Sequence, residues 1–322
     1  SLGHATAADL GFTESGLQGF RTKPSALDGT MCRSRWFVRD RPRSEINGRT
    51  TYCLGQSARV KLKPVARRWK GRKMSDPGNG GCYVVLGASG GIGTAVCEQL
   101  AAAGAQVAIA SRASDRLDDL ADRLSAPKWT IDASEPESIE TAVREAYEQF
   151  GRLDGVANCI GSVLLKAAHL TSYAEWNATL SANLTSAFAA VRSGVRAMRD
   201  TGGSIVLVST AASLVGIANH EAIAAAKGGI NGLVLSAAAT YASKGIRVNA
   251  VAPGLVKTAM TRMIWERPRS EEASVAMHAL GRLGEPEDVA SAIRWLLDTG
   301  NSWVTGQVLG VDGGLGSVRP RG

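Results

Sequence analysis

Residues 82–110 read CYVVLGASGGIGTAVCEQLAAAGAQVAIA, and the punctuation of that run decides the fold. Its first five residues are apolar and bounded by glycines, the form of a strand buried on both faces. A segment of helical period follows and ends at Gly104, and a second apolar run occupies 106–110. Between strand and helix lies Gly87-Ala88-Ser89-Gly90-Gly91-Ile92-Gly93. Glycines there let the backbone turn sharply and let a pyrophosphate approach the free N–H groups and positive end of the helix. A strand before and a helix after are the context in which such a cluster reads as a nucleotide cradle.

The same alternation continues outward. Strand-like runs recur at 152–157, 204–208, 246–251 and 307–311. Helix-like segments fill 114–125, 135–150, 171–200, 219–243 and 286–298. Short buried strands alternating with longer amphipathic helices predict an α/β protein: a Rossmann-type doubly wound parallel sheet with helices on both faces. We expect a single domain over 82–322, a turn-rich linker over 76–81, and a basic N-terminal extension over 1–75. No internal repeat is visible.

Composition narrows the function classes. The 322 residues are 44% hydrophobic and 20% charged, and no stretch reaches the run of about 18 apolar residues expected of a membrane span. The net charge of +8 is confined to the extension. Residues 1–75 hold 16 Lys/Arg against 5 Asp/Glu, whereas 76–322 hold 21 against 24. A nucleic-acid-binding field over the folded part is therefore not expected. Five scattered cysteines without CxxC spacing read as free thiols in a reducing compartment, and four dispersed histidines suggest no metal site. The Arg/Ser/Thr-rich extension fits an organelle transit peptide, a basic docking arm touching a partner or an anionic membrane face, or a solvated tail. A transit peptide would place the protein in an organelle interior, a plastid before a mitochondrion.

Over residues 81–315 the chain resembles the short-chain dehydrogenase/reductase family, closest to 3-oxoacyl-acyl-carrier-protein reductases. The family's TGxxxGxG appears as Leu86-Gly87-Ala88-Ser89-Gly90-Gly91-Ile92-Gly93, with Leu in place of Thr. Asp132 matches the adenine-binding Asp after the third strand. Asn158-Cys159-Ile160-Gly161 matches NNAG, with two replacements. Pro253-Gly254 and Thr258 match the segment beside the nicotinamide, and Gly306-Gln307 through Val311-Asp312-Gly313-Gly314 the last strand. The resemblance implies a nicotinamide dinucleotide held by Gly87, Ser89, Gly91, Ile92, Gly93, Asp132, Asn158, Gly161, Lys227, Pro253, Gly254 and Thr258. The second strand ends in Ser111 and Arg112, where an acidic residue would favour NAD. Ser and Arg suit a 2′-phosphate, so NADP(H) is expected over NAD(H), with a cofactor-free chain as the alternative.

The family's catalytic Ser, Tyr, Lys and Asn map unevenly onto this chain. Asn183 and Lys227 match, and Thr210 stands at the Ser position. The YxxxK pattern places Tyr at 223, where this chain has Ile223. An aliphatic side chain neither donates nor accepts a proton, so the usual acid–base step is missing. His220, three residues earlier, is the candidate surrogate, with Glu221 and Tyr241 weaker ones. Residues 162–165, 211–218 and 255–280 would line an apolar substrate cleft under a short lid.

Two functions are compatible with these residues. One is an NADP(H)-dependent carbonyl reductase whose standard catalysis is weakened or lost. The other is a non-catalytic scaffold subunit that keeps the fold and docks through its basic tail. Small apolar faces near 183–200 and 219–243 suggest a homo-oligomer or a place in a larger assembly.

Overall fold

The computed structural model describes residues 80–319. The extension 1–75 and linker positions 76–79 lie outside the described residues.

Consecutive apolar residues make strands that need cover on both sides. β1 (Cys82–Leu86) is buried at all five positions. It pairs in parallel with β2 (Gln106–Ser111), and β2 with the short edge strand β3 (Lys128–Thr130). On its other side β1 pairs with β4 (Gly155–Asn158), followed by β5 (Gly203–Val208), β6 (Ile246–Pro253) and β7 (Val308–Val311). The seven-stranded parallel sheet has the order β3-β2-β1-β4-β5-β6-β7. Its order reverses between β1 and β4, and the crevice at the carboxyl ends of strands flanking such a reversal is where open α/β sheets hold ligands.

Helices cover both faces. In chain order they are α1 (Gly91–Ala102), α2 (Asp115–Leu124), α3 (Pro136–Phe150), α4 (Tyr173–Leu180), α5 (Ser186–Met198), α6 (Glu221–Tyr241), α7 (Arg262–Trp265), α8 (Pro268–Met277) and α9 (Pro286–Leu297). Val85, Ile109 and Val206 pack with Val96, Leu120 and Ile293 of α1, α2 and α9. On the opposite face, Val84, Leu86 and Ile205 pack with Ile139, Ala190 and Ile230 of α3, α5 and α6. The fold is thus the doubly wound Rossmann type expected from the alternation.

Four expectations change in detail. The helix expected over 171–200 is divided: a π-turn, Ser181–Thr185, separates α4 from α5, with the Ser186 N–H reaching Ser181 O. The strand expected over 152–157 begins only at Gly155, because Arg152–Asp154 forms a polar corner. There the Asp154 carboxylate accepts from Arg152 at 2.7 Å and from the Cys82 N–H at 2.9 Å. His220 is the N-cap of α6 rather than a residue within it. Finally, Glu221–Lys244 has the length and mean hydropathy (1.3) of a membrane span. Its Ile230, Val234, Ala237 and Ala238 are buried against the sheet, while Leu235 on its outer side is exposed.

Candidate active site

The glycine turn is shaped by contacts that exclude side chains. Gly87 has φ +76°, and a Cβ there would lie 2.7 Å from the Cys159 carbonyl carbon. A Cβ on Gly93 would lie 2.2 Å from Gly87 O, so the first turn of α1 closes directly onto the end of β1. The Gly87 N–H donates to Ala110 O at 2.7 Å, tying the turn to β2. A Cβ on Gly91 would meet the Thr258 side chain at 2.9 Å, which brings the segment after β6 against the helix start. Free N–H groups at an α-helix N-terminus form an anion site, and this one sits at the sheet's reversal point.

Beside the turn, Ser89 Oγ and Ser111 Oγ are 2.6 Å apart, joining the turn to the end of β2. Arg112 follows, exposed. Asp132, also exposed, accepts from the Ser134 N–H at 2.8 Å and the Ser134 hydroxyl at 2.7 Å. Those bonds, with a smaller contribution from Arg112, hold its carboxyl below the usual range.

At the end of β4, Asn158 Oδ1 accepts from the Ile160 N–H at 3.2 Å. Gly161 then passes between two functional side chains. A Cβ there would lie 3.0 Å from Asn183 Oδ1 and 3.4 Å from Lys227 Nζ. Asn183 lies within the π-turn, and its side-chain amide donates to Thr179 O and to Ser162 Oγ, each at 2.9 Å. The extra residue of a π-turn loosens the helical ladder, which is why such turns recur at functional sites.

Lys227 is 6% exposed, and its Nζ donates to Val208 O at 2.7 Å. Burial brings its pKa down to about 8. Burial also pushes the neighbouring Cys159 thiol up to about 12, so it stays protonated at neutral pH.

Four residues before Lys227, Ile223 is buried at 5% exposure and carries no ionisable group. Thr210, two residues beyond β5, caps the short 3-10 turn Ala211–Ser213, its hydroxyl 3.5 Å from Pro253 O and accepting from the Ala212 N–H at 3.3 Å. His220 caps α6 with Nδ1 2.8 Å from Ala218 O. Glu221 lines a cavity of about 290 Å³ with Tyr173, Trp176 and Ala222. The structure therefore gathers Gly161, Asn183 and Lys227 in one place. His220 and Glu221 lie at the start of α6.

Sequence reasoning missed Ser162 as the partner of Asn183, and Ser209 with Asn231, whose side chains meet at 2.7 Å beneath α6. No motif marks a Ser–Asn pair formed between separate elements. Helices α7 and α8, in the stretch expected to be a lid, were also undivided in the sequence, though Pro268 at the first position of α8 is a recognisable start signal.

Residues 87–316 match the family profile described as enoyl-(acyl carrier protein) reductase. The chain belongs to the short-chain dehydrogenase/reductase family of oxidoreductases, which bind nicotinamide dinucleotides. It is 36% identical over 239 residues to a tropinone reductase homolog of Arabidopsis thaliana, covering 72% of this chain and 90% of the relative. It is 34% identical over 237 residues to the 3-oxoacyl-[acyl-carrier-protein] reductase of Vibrio cholerae, covering 72% and 96%. Among solved structures, ElxO with NADP bound superposes with a TM-score of 0.70 at 27% identity, covering 74% of this chain and 99% of ElxO.

Proposed function

We propose that this protein binds NADP(H) in preference to NAD(H) and descends from carbonyl reductases of the 3-oxoacyl type, with the standard proton-transfer step weakened or lost. One contrast carries this reading: the cradle around Gly87, Gly93, Asn183 and Lys227 is closely built, while Ile223 fills the proton-donor position. When bound, the dinucleotide would supply the hydride. Gly87, Ser89, Gly91, Ile92 and Gly93 would surround its pyrophosphate, and Ser111 and Arg112 would take the 2′-phosphate. Asp132 and Asn158 would border the adenine side, and Pro253, Gly254 and Thr258 the nicotinamide side. Thr210 would orient a carbonyl, and Lys227 would hold the ribose.

ElxO supports the choice of NADP as a relative solved with that nucleotide. Arg112 supports it in this chain, because a guanidinium favours a phosphate there. Calorimetric titration with NADPH and NADH tests the reading, with Arg112→Asp alongside. We expect tighter NADPH binding in the native protein and a reversed preference in the variant. Ile223→Tyr should then raise carbonyl turnover roughly a hundredfold or more, the usual scale of a placed general acid. Absence of binding by either nucleotide would overturn the enzyme reading in favour of a scaffold subunit.

A further inference from the structure

His278 directly follows α8 and is 4% exposed, and no role has been given to its ring. Both of its ring nitrogens are committed. Nδ1 lies 2.7 Å from Ser274 O, and a carbonyl oxygen only accepts, so Nδ1 carries the proton. Nε2 accepts from the Leu255 N–H at 3.1 Å. Only the neutral Nδ1–H imidazole satisfies both partners. The ring also dictates a glycine: a Cβ on Gly254 would stand 2.5 Å from Nε2. Beyond His278, the Leu280 N–H donates to Gly313 O at 3.0 Å, so this stretch is wedged between the segment after β6 and the turn after β7.

We propose that His278 is a positioning residue: as a neutral imidazole it fastens the lid, α7 and α8, to the Gly254-Leu255 segment after β6. Without an acceptor at Nε2 the Leu255 N–H has no partner there, and the fastening is lost. The charged groups on the surrounding elements are otherwise engaged. Asp312 accepts from the N–H groups of Gly314 and Gly316, and Glu271 of α8 pairs with Lys257 at 3.0 Å. Arg282 pairs with Asp288 at 2.7 Å, and Glu272 projects from α8 at an exposed position. Among the described residues no carboxylate forms an ion pair with His278 to hold its charged form in place. The lid fastening stands apart from the proposed function; only its effect on nucleotide affinity rests on that reading.

Hydrogen–deuterium exchange of the full chain tests this on wild type, His278→Gln and His278→Leu. Amides of residues 255–277 should exchange about tenfold faster in His278→Leu, with β1 and β5 unchanged. His278→Gln, which supplies one donor and one acceptor, should stay as protected as wild type. His278→Leu should also lower NADPH affinity about tenfold. If His278→Leu does not fold, Gly254→Ala, whose Cβ would stand 2.5 Å from Nε2, should loosen the same amides. A His278→Leu or Gly254→Ala segment as protected as wild type, or a His278→Gln segment as loose as His278→Leu, overturns the proposal. Failure to bind NADPH with the lid response intact would count against the nucleotide reading and support the fastening.

Discussion

Asn183 and Ser162 hold each other by two hydrogen bonds: the Asn183 amide donates to Ser162 Oγ at 2.9 Å, and Asn183 Oδ1 accepts from the Ser162 N–H at 3.2 Å. The pair fastens the loop after β4 to the π-turn between α4 and α5. Asn183 is completely buried, so its removal takes a donor from Thr179 O and an acceptor from the partly buried Ser162 N–H. Asn183→Ala should therefore cost about 2–3 kcal/mol in urea unfolding and speed amide exchange over 161–166. Asn183→Asp should be worse than Ala at neutral pH, since it adds a buried charge in place of a donor.

The glycine turn makes a contrasting pair of predictions. Gly93→Ala forces a Cβ to within 2.2 Å of a backbone oxygen, so the helix start must shift. Thermal unfolding should show a loss of about 1–3 kcal/mol, and NADPH titration a loss of binding. Gly232 lies in α6, and a Cβ there meets nothing within 4 Å. Gly232→Ala should stabilise the monomer by about 0.5–1 kcal/mol through helix propensity alone.

Lys227 gives the stability a pH signature. Its folded-state pKa is about 8, against 10.5 for an unperturbed lysine. Below about 8 both the folded and unfolded states hold the proton, and the full cost of burying the charge is present. Above it the folded state releases its proton first, so the cost shrinks as pH rises toward 10.5. Relative to Lys227→Met, wild type should gain about 2 kcal/mol between about pH 7 and about pH 9.5 in urea unfolding. Equal pH slopes in the two proteins would remove Lys227 as the source.

Arg247 is a structural counterpart to that lysine. Its guanidinium, buried beneath β6, donates to Leu296 O at 2.8 Å and Asp298 O at 3.0 Å, satisfying the last carbonyls of α9. Arg247→Met should cost about 3 kcal/mol in urea unfolding, and Arg247→Lys less, because an ammonium reaches fewer of those oxygens.

How much of this was legible in advance depends on the range of the interaction. The strands Cys82–Leu86 and Ile246–Pro253 announce themselves because burial on both faces demands an apolar residue at every step. β3 does not: at the sheet edge only Trp129 is partly buried, and no apolar run is required. The π-turn was invisible for another reason. Its extra residue leaves the apolar periodicity of 171–200 nearly intact, and its Asn183 is held by Ser162, 21 residues away in the chain, a contact that no local pattern encodes.

The sequence by itself determined the alternation of strands and helices, the glycine turn between β1 and α1, and the spacing that sets Ile223 four residues before Lys227. These are local properties, carried by period, turn chemistry and residue identity along one stretch of chain. Only the tertiary structure decided that Gly161 passes between Asn183 and Lys227, that Thr258 closes on Gly91, and that His278 meets Leu255. Each of those contacts joins residues far apart in the chain. Their geometry is set by how seven strands and their helices pack, which no single segment specifies.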